Sequence, residues 1–510
     1  MTSSRLALAI AVIGTTVLSA ATAPAQDTLA PDRPVRVNGR PVVEVQGVWR
    51  SRGYGYIVNI NGDGHQLFHV AGEFCYPDVI DQSRAAGAPS GLREAVQKVR
   101  SFVRRHLGFL LPRRDPDGMF GLYRMLGPTT IAFSAEPEET RYVFDRLQEL
   151  PAVCTDPTPW NAPRIAGLVA ATFAEIYPSF EQRGIDWPAR TAAALAALDA
   201  SSNDDVLYRT LQTMLSGIDD PHVELQARID GQPRELMLGE GATLSRVRAA
   251  IGNKAMRENE WLPAYRDGVL NVVLQGRGHE TANQRLFWGL VGDIGYINLL
   301  SMERLSRSLQ SSDESALDRA LDEAIAALSG ARAVIFDVSY NLGGYDAVSR
   351  HVAARFADRR RLAFTKVGFG ARDVEPQPVY VEPSPRPRYL GPVYLLTSDA
   401  TVSAGETFTL FMRALPNVVH VGRTTRGGLS DLLEKPLPNG WELALAGDIY
   451  LDPNGENYEA RGIPPYVEFE VFPPDELIGG HARRVLALIE EIRQREPGGP
   501  LGAAGAPSAR

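Results

Sequence analysis

The second half of the chain is dominated by an alternation of strand and helix signals. The apolar runs ARAVIFDVSY (331–340) and PVYLLTS (392–398) are typical of buried strands, and ESALDRALDEAIAALSG (314–330) and SAGETFTLFMRAL (403–415) have helical periodicity. Strands that alternate with helices pack in layers, because each helix covers one face of a sheet. The sequence therefore predicts an α/β domain over residues 285–495.

Two regions with other patterns precede this domain. Residues 35–156 hold short β-prone runs, interrupted by a helical pattern at 94–111, and predict a β-rich module. Residues 157–223 change to helical spacing and predict a small helical bundle. Residues 224–284 form a linking region in which a β-hairpin and a helix are expected. The last segment, 496–510, is rich in Gly, Pro and Ala and is expected to be disordered.

The N-terminal segment 1–25 has the pattern of a secretory signal peptide. Arg5 precedes an apolar run, and Ala23-Pro24-Ala25 provides a small-x-small cleavage site. An uncleaved anchor is the alternative, although the apolar run is short for a membrane span. The pattern predicts a secreted or periplasmic protein with no stable membrane insertion after cleavage.

The net charge and the cysteine content limit the partners and cofactors that the sequence predicts. The formal net charge of −8 gives no indication of a nucleic-acid partner. Cys75 and Cys154 are the only cysteines, and in an oxidising compartment they form either one disulfide or two buried thiols. No metal-ligand spacing or phosphate loop is visible, so no metal and no cofactor are expected.

Ser403 lies between a predicted strand and a predicted helix, next to Ala404 and Gly405. One interpretation is a helix N-cap, because serine is a preferred capping residue. The other is a nucleophile, which needs a base in reach, an orienting group and donors for an oxyanion. The N–H of Ala404 at the helix N-terminus is a usable donor.

Three other segments offer the remaining parts. The turn DVSYNLGGYD (337–346) contains paired glycines that allow a close approach to the backbone. His222 ends a helix at a polar corner, GIDDPH, where functional residues tend to lie, although a lone loop histidine is often structural. Glu456 and Glu459 lie in a late Gly/Pro-bounded loop. Of the other histidines, His351 and His481 are predicted on surface helices.

These four segments together resemble the C-terminal-processing (tail-specific) serine peptidase family, in detail its tricorn-core-like branch. The family's D-x-R-x-N-x-G-G corresponds to DVSYNLGG, T-x-S-A-[GS]-E to TVSAGE, L-x-D-[GS]-H to GIDDPH, and the late Glu before G-[IV]-x-P to EARGIPPY. The order of the four is that of the family, and the resemblance spans residues 159–474. It implies a ClpP/crotonase-like α/β spiral core preceded by the helical bundle and the β-rich module.

Carried over position by position, the resemblance implies Ser403 as the nucleophile and the N–H groups of Gly343 and Ala404 as the oxyanion hole. One branch of the family places a Lys base in a G-K-G turn that follows the serine, where this chain has Gly427-Gly428 and no lysine. The resemblance therefore points to the other branch, with His222 as base and Glu459 completing the site. Lys435 lies nearby in the sequence but out of register, and Glu456 is the nearest rival for the acid.

The chain departs from the family pattern at three positions. Pro221 replaces the Gly or Ser before the histidine, Ser339 replaces the Arg of the glycine turn, and Tyr466 replaces an Asp. No PDZ domain is evident, because residues 225–284 lack a glycine-rich carboxylate-binding signature. Recognition of a substrate C-terminus by such a module is therefore not expected.

The resemblance implies a serine endopeptidase that acts on peptides or unfolded proteins, and the sequence is compatible with a homo-oligomer. Two alternatives stay open. One is a catalytically inactive peptide- or ligand-binding protein in which Ser403 only caps a helix, since one fold hosts unrelated functions. The other is a hydrolase of non-peptide esters or amides.

Overall fold

The computed structural model describes residues 31–78, 118–137, 139–250, 261–306, 315–477 and 479–494. The predicted signal peptide, the helical pattern at 94–111 and the C-terminal tail lie outside these residues. Among the residues described, no helix has the length and apolar character needed to cross a membrane.

An antiparallel sheet of eight strands forms the N-terminal module. Its strand order is β1-β8-β9-β10-β4-β5-β6-β7, and every neighbouring pair is antiparallel. One face is covered by helices of the next region. The strands of this region, including the small separate pair β2–β3, are β1 Arg33–Pro34, β2 Arg36–Val37, β3 Arg40–Pro41, β4 Gly47–Ser51, β5 Tyr56–Ile60, β6 His65–Ala71, β7 Phe74–Pro77, β8 Leu122–Met125, β9 Thr130–Ser134 and β10 Tyr142–Leu147.

Cys75 and Cys154 are joined by a disulfide. Cys75 lies in β7, and Cys154 lies in the 3₁₀ turn Ala152–Thr155 that leads into the helical region. The bond closes a loop across a sequence separation of 79 residues. A cross-link over so long a loop removes conformational freedom from the unfolded chain.

Loss of this disulfide is expected to destabilise the protein. The double substitution Cys75→Ser with Cys154→Ser should lower the free energy of unfolding by about 2–4 kcal/mol. Urea unfolding of wild type with and without a reductant, beside the double variant, measures the effect. An unchanged unfolding midpoint in the double variant would contradict it.

Three helices follow: α1 Ala162–Ile176, α2 Trp187–Ala196 and α3 Asp204–Leu215. Each is preceded by a residue whose side chain accepts a hydrogen bond from the first turn, namely Asn161, Asp186 and Asn203, and this bond stabilises the helix start. Their apolar faces do not form a separate core. They share one hydrophobic cluster with the N-terminal sheet, in which Phe173 of α1 and Phe144 of β10 are both fully buried.

The linking region contains the predicted hairpin and helix. The hairpin strands β11 Glu224–Ile229 and β12 Gln232–Met237 are antiparallel, and helix α4 Ala242–Ala250 follows. The hairpin joins two late strands, β24 Glu442–Ala446 and β23 Leu432–Pro436, in a sheet of order β12-β11-β24-β23. The segment after His222 is thereby hydrogen-bonded directly to the α/β domain.

A sheet of seven strands forms the centre of the α/β domain, in the order β13-β14-β15-β16-β20-β22-β26. From β15 onward the neighbouring strands are parallel. Helices pack on both faces of this sheet, and each face has its own hydrophobic cluster. The remaining elements are helices α5 Trp261–Asp267, α6 Ser315–Leu328, α7 Asp346–Ala353, α8 Ala404–Arg413 and α9 Gly480–Arg493, the π-helical turn Gly268–Val273, and strands β13 His279–Thr281, β14 Leu286–Val291, β15 Ile294–Leu299, β16 Ala333–Asp337, β17 Tyr340–Asn341, β18 Arg361–Gly368, β19 Gln377–Val381, β20 Val393–Thr397, β21 Ala400–Thr401, β22 Val418–Gly422, β23 Leu432–Pro436, β24 Glu442–Ala446, β25 Asp448–Leu451 and β26 Val467–Glu468.

The prediction that His481 lies on a surface helix is wrong. The helix is α9, but His481 is 3% exposed, and its Nε2 lies 2.9 Å from Oδ2 of the buried Asp337. The histidine begins a helix that packs on the central sheet, so the polar appearance of HARR in the sequence does not indicate exposure. A buried carboxylate at the end of β16 provides the partner that makes burial of the imidazole tolerable.

Candidate active site

Ser403 occupies a sharp turn between β21 and α8. Its φ is 56° and its ψ is −122°, a backbone conformation that residues other than glycine rarely adopt. It holds the N-cap position, yet its side chain makes no capping hydrogen bond. The structure therefore does not use this hydroxyl to cap the helix, and strain of this kind is concentrated at functional sites.

The glycine turn lies directly beside Ser403. Strands β16 and β20 are parallel neighbours, so the turns at their carboxyl ends meet at one edge of the sheet. The two turns pair through β17 and β21, and Val402 N–H donates to Asn341 O at 2.9 Å. A Cβ atom on Gly343 would lie 2.7 Å from Ser403 Cβ. Only glycine fits at this position, whose φ is 94°.

The two predicted oxyanion donors differ in their present bonding. Ala404 is the first residue of α8, so its N–H has no partner within the helix. Gly343 N–H donates to the side-chain Oδ1 of Asn341 at 2.9 Å. Gly343 can serve an oxyanion only by sharing or leaving that bond, whereas Ala404 has no intrahelical bond to give up.

The structure brings His222 to the same loop that holds Ser403. Ser403 N–H donates to Gly428 O at 3.0 Å. A Cβ atom built on Gly428 would lie 3.8 Å from His222 Cε1 and 2.4 Å from Pro221 Cγ. Gly428 is thus the residue that the nucleophile turn and the histidine corner both contact. The pyrrolidine ring of Pro221 thus packs on the Gly427-Gly428 turn, where one branch of the resembled peptidase family places its lysine base.

Burial sets the protonation of His222. Its side chain is buried, and desolvation lowers its pKa below the ordinary 6.5, while Asp220 and Asp431 act to raise it and Arg183 to lower it. Nδ1 of the ring is buried and has no hydrogen-bond partner among the described residues. The neutral imidazole is therefore the favoured form near neutral pH, as a general base requires.

Glu459 lies behind the histidine corner, and none of its hydrogen bonds goes to the imidazole. Its Oε2 accepts from Leu429 N–H at 2.9 Å and from Ser430 N–H at 3.0 Å. Its Oε1 lies 3.3 Å from the Arg183 guanidinium. Burial, helped by Asp220, raises the pKa of Glu459 to about 8. Glu459 thus fixes the backbone that follows Gly428.

Arg183 was not assigned a role from the sequence, yet it links these parts. Its guanidinium is buried and lies 3.2 Å from Asp220 Oδ2. Asp220 in turn accepts from Tyr177 O–H at 2.7 Å and, through Oδ1, from His222 N–H at 2.8 Å. The Arg183 guanidinium therefore lies between the buried side chains of Asp220 and Glu459 and connects the histidine corner with Glu459. In the sequence Arg183 lies in the run YPSFEQRGIDWP (177–188), and its partners Asp220 and Glu459 lie far away along the chain.

Glu406 is a second residue that the sequence did not assign. Its buried carboxylate accepts from Gly427 N–H and Gly428 N–H, both at 2.8 Å, and from Thr425 O–H at 2.6 Å. Burial raises its pKa to about 7. The glutamate in TVSAGE therefore positions the loop on which the nucleophile turn rests. Its place in the first turn of α8 was the available signal.

The contacts that the structure describes for Lys435 and Glu456, the two rival residues, lie away from Ser403 and His222. The Lys435 ammonium donates to Tyr54 O at 2.6 Å and lies 3.6 Å above the Tyr56 ring, and both tyrosines belong to the N-terminal module. Glu456 is about half exposed and pairs with Arg461. Within the described residues, no group of three or more His, Cys, Asp or Glu side chains is arranged to hold a metal ion.

One protein-family model matches most of the α/β domain. The model of peptidase family S41 matches residues 293–469, which include Gly343, Ser403 and Glu459 but not His222. A search of curated proteins found no match.

Two solved structures show a shared fold. A crystal structure of a Parabacteroides merdae protein is 24% identical, with a TM-score of 0.51, over 65% of this chain and 96% of that one. A mutant of CPAF is 12% identical, with a TM-score of 0.51, over 68% of this chain and 99% of that one. Residues 293–469 therefore match a peptidase family S41 domain, and the enzyme class that this match supports is that of the serine peptidases.

Proposed function

We propose that the protein is a secreted or periplasmic endopeptidase in which Ser403 is the nucleophile and His222 the general base. The observation that carries the proposal is the convergence of both residues on Gly428, one through a hydrogen bond and the other through packing. Localisation rests on the signal-like N-terminal segment 1–25 and on the Cys75–Cys154 disulfide, a bond typical of oxidising compartments.

In the proposed reaction, His222 Nε2 takes the proton from Ser403 as Oγ attacks the scissile carbonyl carbon. The other ring nitrogen is buried, so Nε2 is the one available to the substrate side. The tetrahedral intermediate collapses when the C–N bond breaks and His222 donates the proton to the leaving amine. Water then attacks the acyl carbon with His222 again as base. The bond from that carbon to Ser403 Oγ breaks, His222 returns the proton to Oγ, and the acid is released.

The oxyanion is proposed to bind first to Ala404 N–H, assisted by the N-terminus of α8. Gly343 N–H joins when its bond to Asn341 is shared with the developing charge. Glu459 supports the reaction through the backbone of residues 429–430 and through Arg183, rather than by contact with the imidazole. The site is thus proposed to work as a Ser–His dyad that Arg183, Asp220 and Glu459 hold in place.

The pH dependence of kcat/KM should reflect the buried histidine. The base acts only when neutral, and burial lowers the pKa of His222, so activity should fall on the acid side with a midpoint below 6.5. The carboxylate of Asp431 acts to raise this pKa, so Asp431→Asn should move the midpoint to lower pH. Initial rates across the pH range measure both. A midpoint above 7 would contradict the assignment.

The function is tested by incubating the protein with an unfolded protein and with a mixed peptide library. An endopeptidase should generate new internal N-termini, identified by mass spectrometry. Turnover of small esters alone would instead favour a non-peptide hydrolase. Binding of peptides without turnover would favour the inactive binding protein.

A further inference from the structure

We propose that the N-terminal β module is a working part of the catalytic site, because it positions the catalytic loop, defined as residues 427–431. The inference rests on the proposed function, and it assigns a role to a module outside the family match. Thr140, which leads into β10 of the module, is its central residue.

Thr140 lies at a buried junction between the module and the catalytic loop. Lys366 of β18 donates to Thr140 Oγ1 at 2.6 Å, and the Thr140 hydroxyl donates to Asp431 Oδ2 at 3.2 Å. The Lys366 ammonium also lies 3.5 Å from the same Asp431 oxygen. Thr140 is 4% exposed and Lys366 is 7% exposed. One hydroxyl of the module thus connects a buried cation with the last residue of the catalytic loop.

A second contact reaches the same loop from another part of the module. Tyr54 O–H donates to Asp448 Oδ1 at 2.7 Å. The N–H of Asp448 donates to Ser430 Oγ at 2.8 Å, and Gly447 N–H donates to it at 3.0 Å. The module therefore contacts the catalytic loop directly at Asp431 and through one intermediate residue at Ser430.

The side chain of Gln377 holds the junction segment in place. Its Oε1 accepts from Arg141 N–H and its Nε2 donates to Glu139 O, both at 2.9 Å. These two bonds pair the amide with the backbone on either side of Thr140. Thr140 is therefore fixed relative to β19 as well as to Lys366, and its hydroxyl has a defined position.

Displacement of the loop would be felt at the nucleophile. Gly428 O accepts from Ser403 N–H, and Glu459 binds the next two N–H groups of the loop. Asp431 also acts on the pKa of His222. A shift of a fraction of an ångström at the loop changes the attack geometry, and reacting groups are sensitive to misplacement on that scale.

The test uses the full-length protein and three single variants. Thr140→Val removes the hydroxyl at nearly constant volume, and Thr140→Ser keeps it. Thr130→Val is the matched control, because Thr130 donates to Asp145 at 3.1 Å within the same module but away from the catalytic loop. We measure kcat and KM on a cleaved peptide well below each unfolding midpoint, and amide hydrogen exchange of residues 427–431.

Thr140→Val should lower kcat about tenfold with KM changed less than about twofold, and should speed exchange of the catalytic-loop amides. In Thr140→Ser and Thr130→Val, kcat, KM and the exchange rates of the catalytic-loop amides should each stay within about twofold of wild type. A stable Thr140→Val protein with wild-type kcat and loop exchange would overturn the proposal, as would an equal effect of Thr130→Val. Hydrogen exchange shows whether Thr140 positions the catalytic loop even if the wild-type protein cleaves no substrate. Absence of cleavage by wild type would count against the proposed function and not against this inference.

Discussion

Ser403→Ala and His222→Ala are each expected to lower the turnover of peptide substrates by about a thousandfold or more. The serine variant lacks the attacking oxygen. The histidine variant leaves the hydroxyl protonated, because Lys435, the alternative base, donates to backbone carbonyls of the N-terminal module. Initial rates on one peptide, with kcat and KM separated, measure the losses.

The controls for this pair come from the same residue types elsewhere in the domain. Ser329 is exposed and donates to Ala326 O, and His351 pairs with Asp318, so Ser329→Ala and His351→Ala should keep wild-type rates. If Ser403→Ala is inactive while His222→Ala is not, the base lies elsewhere. If neither variant loses activity, the assignment of the site is wrong.

Gly428→Ala is expected to lower kcat/KM by about a hundredfold, because the added Cβ would meet Pro221 Cγ at 2.4 Å. The φ of Gly428 is not positive, so the loss would come from this clash and not from backbone strain. The clash must move either the proline, which precedes His222, or the loop that binds Ser403. Adding Pro221→Ala removes the ring atoms involved, so the double variant should recover at least about tenfold over Gly428→Ala. This double-mutant cycle measures the coupling of the two residues in kcat/KM.

The matched control is Gly330→Ala. Nothing lies within 4 Å of a Cβ atom at that glycine, and its φ is not positive either. It should therefore keep the wild-type rate. If Gly428→Ala is as active as this control, or if Pro221→Ala brings no recovery, the packing of the proline on the loop is not what places the histidine.

The secondary structure of the α/β domain could be predicted because each element carries its own signal. β16 and β20 are short runs of buried apolar residues, and α8 begins directly after Ser403 as the pattern indicates. The run WELALAGDIYLD predicts one strand but is divided at Gly447 into β24 and β25, which join different sheets. Local patterning does not specify which sheet a strand joins.

The shared core of the N-terminal sheet and the helical region was not predictable for a similar reason. Periodicity shows that α1 has an apolar face, but not what covers it. In the structure, that face packs against strands of the preceding module, which are distant from α1 in the sequence. The sequence therefore suggests a free-standing bundle where the molecule has a helical layer on a sheet.

Some residues of the candidate site could be proposed from the sequence, and others are evident only in the structure. Ser403, Gly343 and His222 could be proposed from the sequence because they lie in turns whose residues resemble the motifs of the peptidase family. Arg183 and the packing of Pro221 on Gly428 could not, because each depends on partners that are distant in the sequence. The contact that Glu459 makes with Arg183, in place of the imidazole, depends on the same long-range packing.

The most direct test of the central claim is covalent labelling with a serine-reactive fluorophosphonate, followed by peptide mapping. The account predicts one adduct, on Ser403, formed by wild type and lost in Ser403→Ala, with strongly slowed labelling in His222→Ala. It predicts normal labelling in Ser329→Ala. An adduct on another serine, or a folded wild-type protein that is not labelled at all, would contradict the claim that Ser403 is an activated nucleophile.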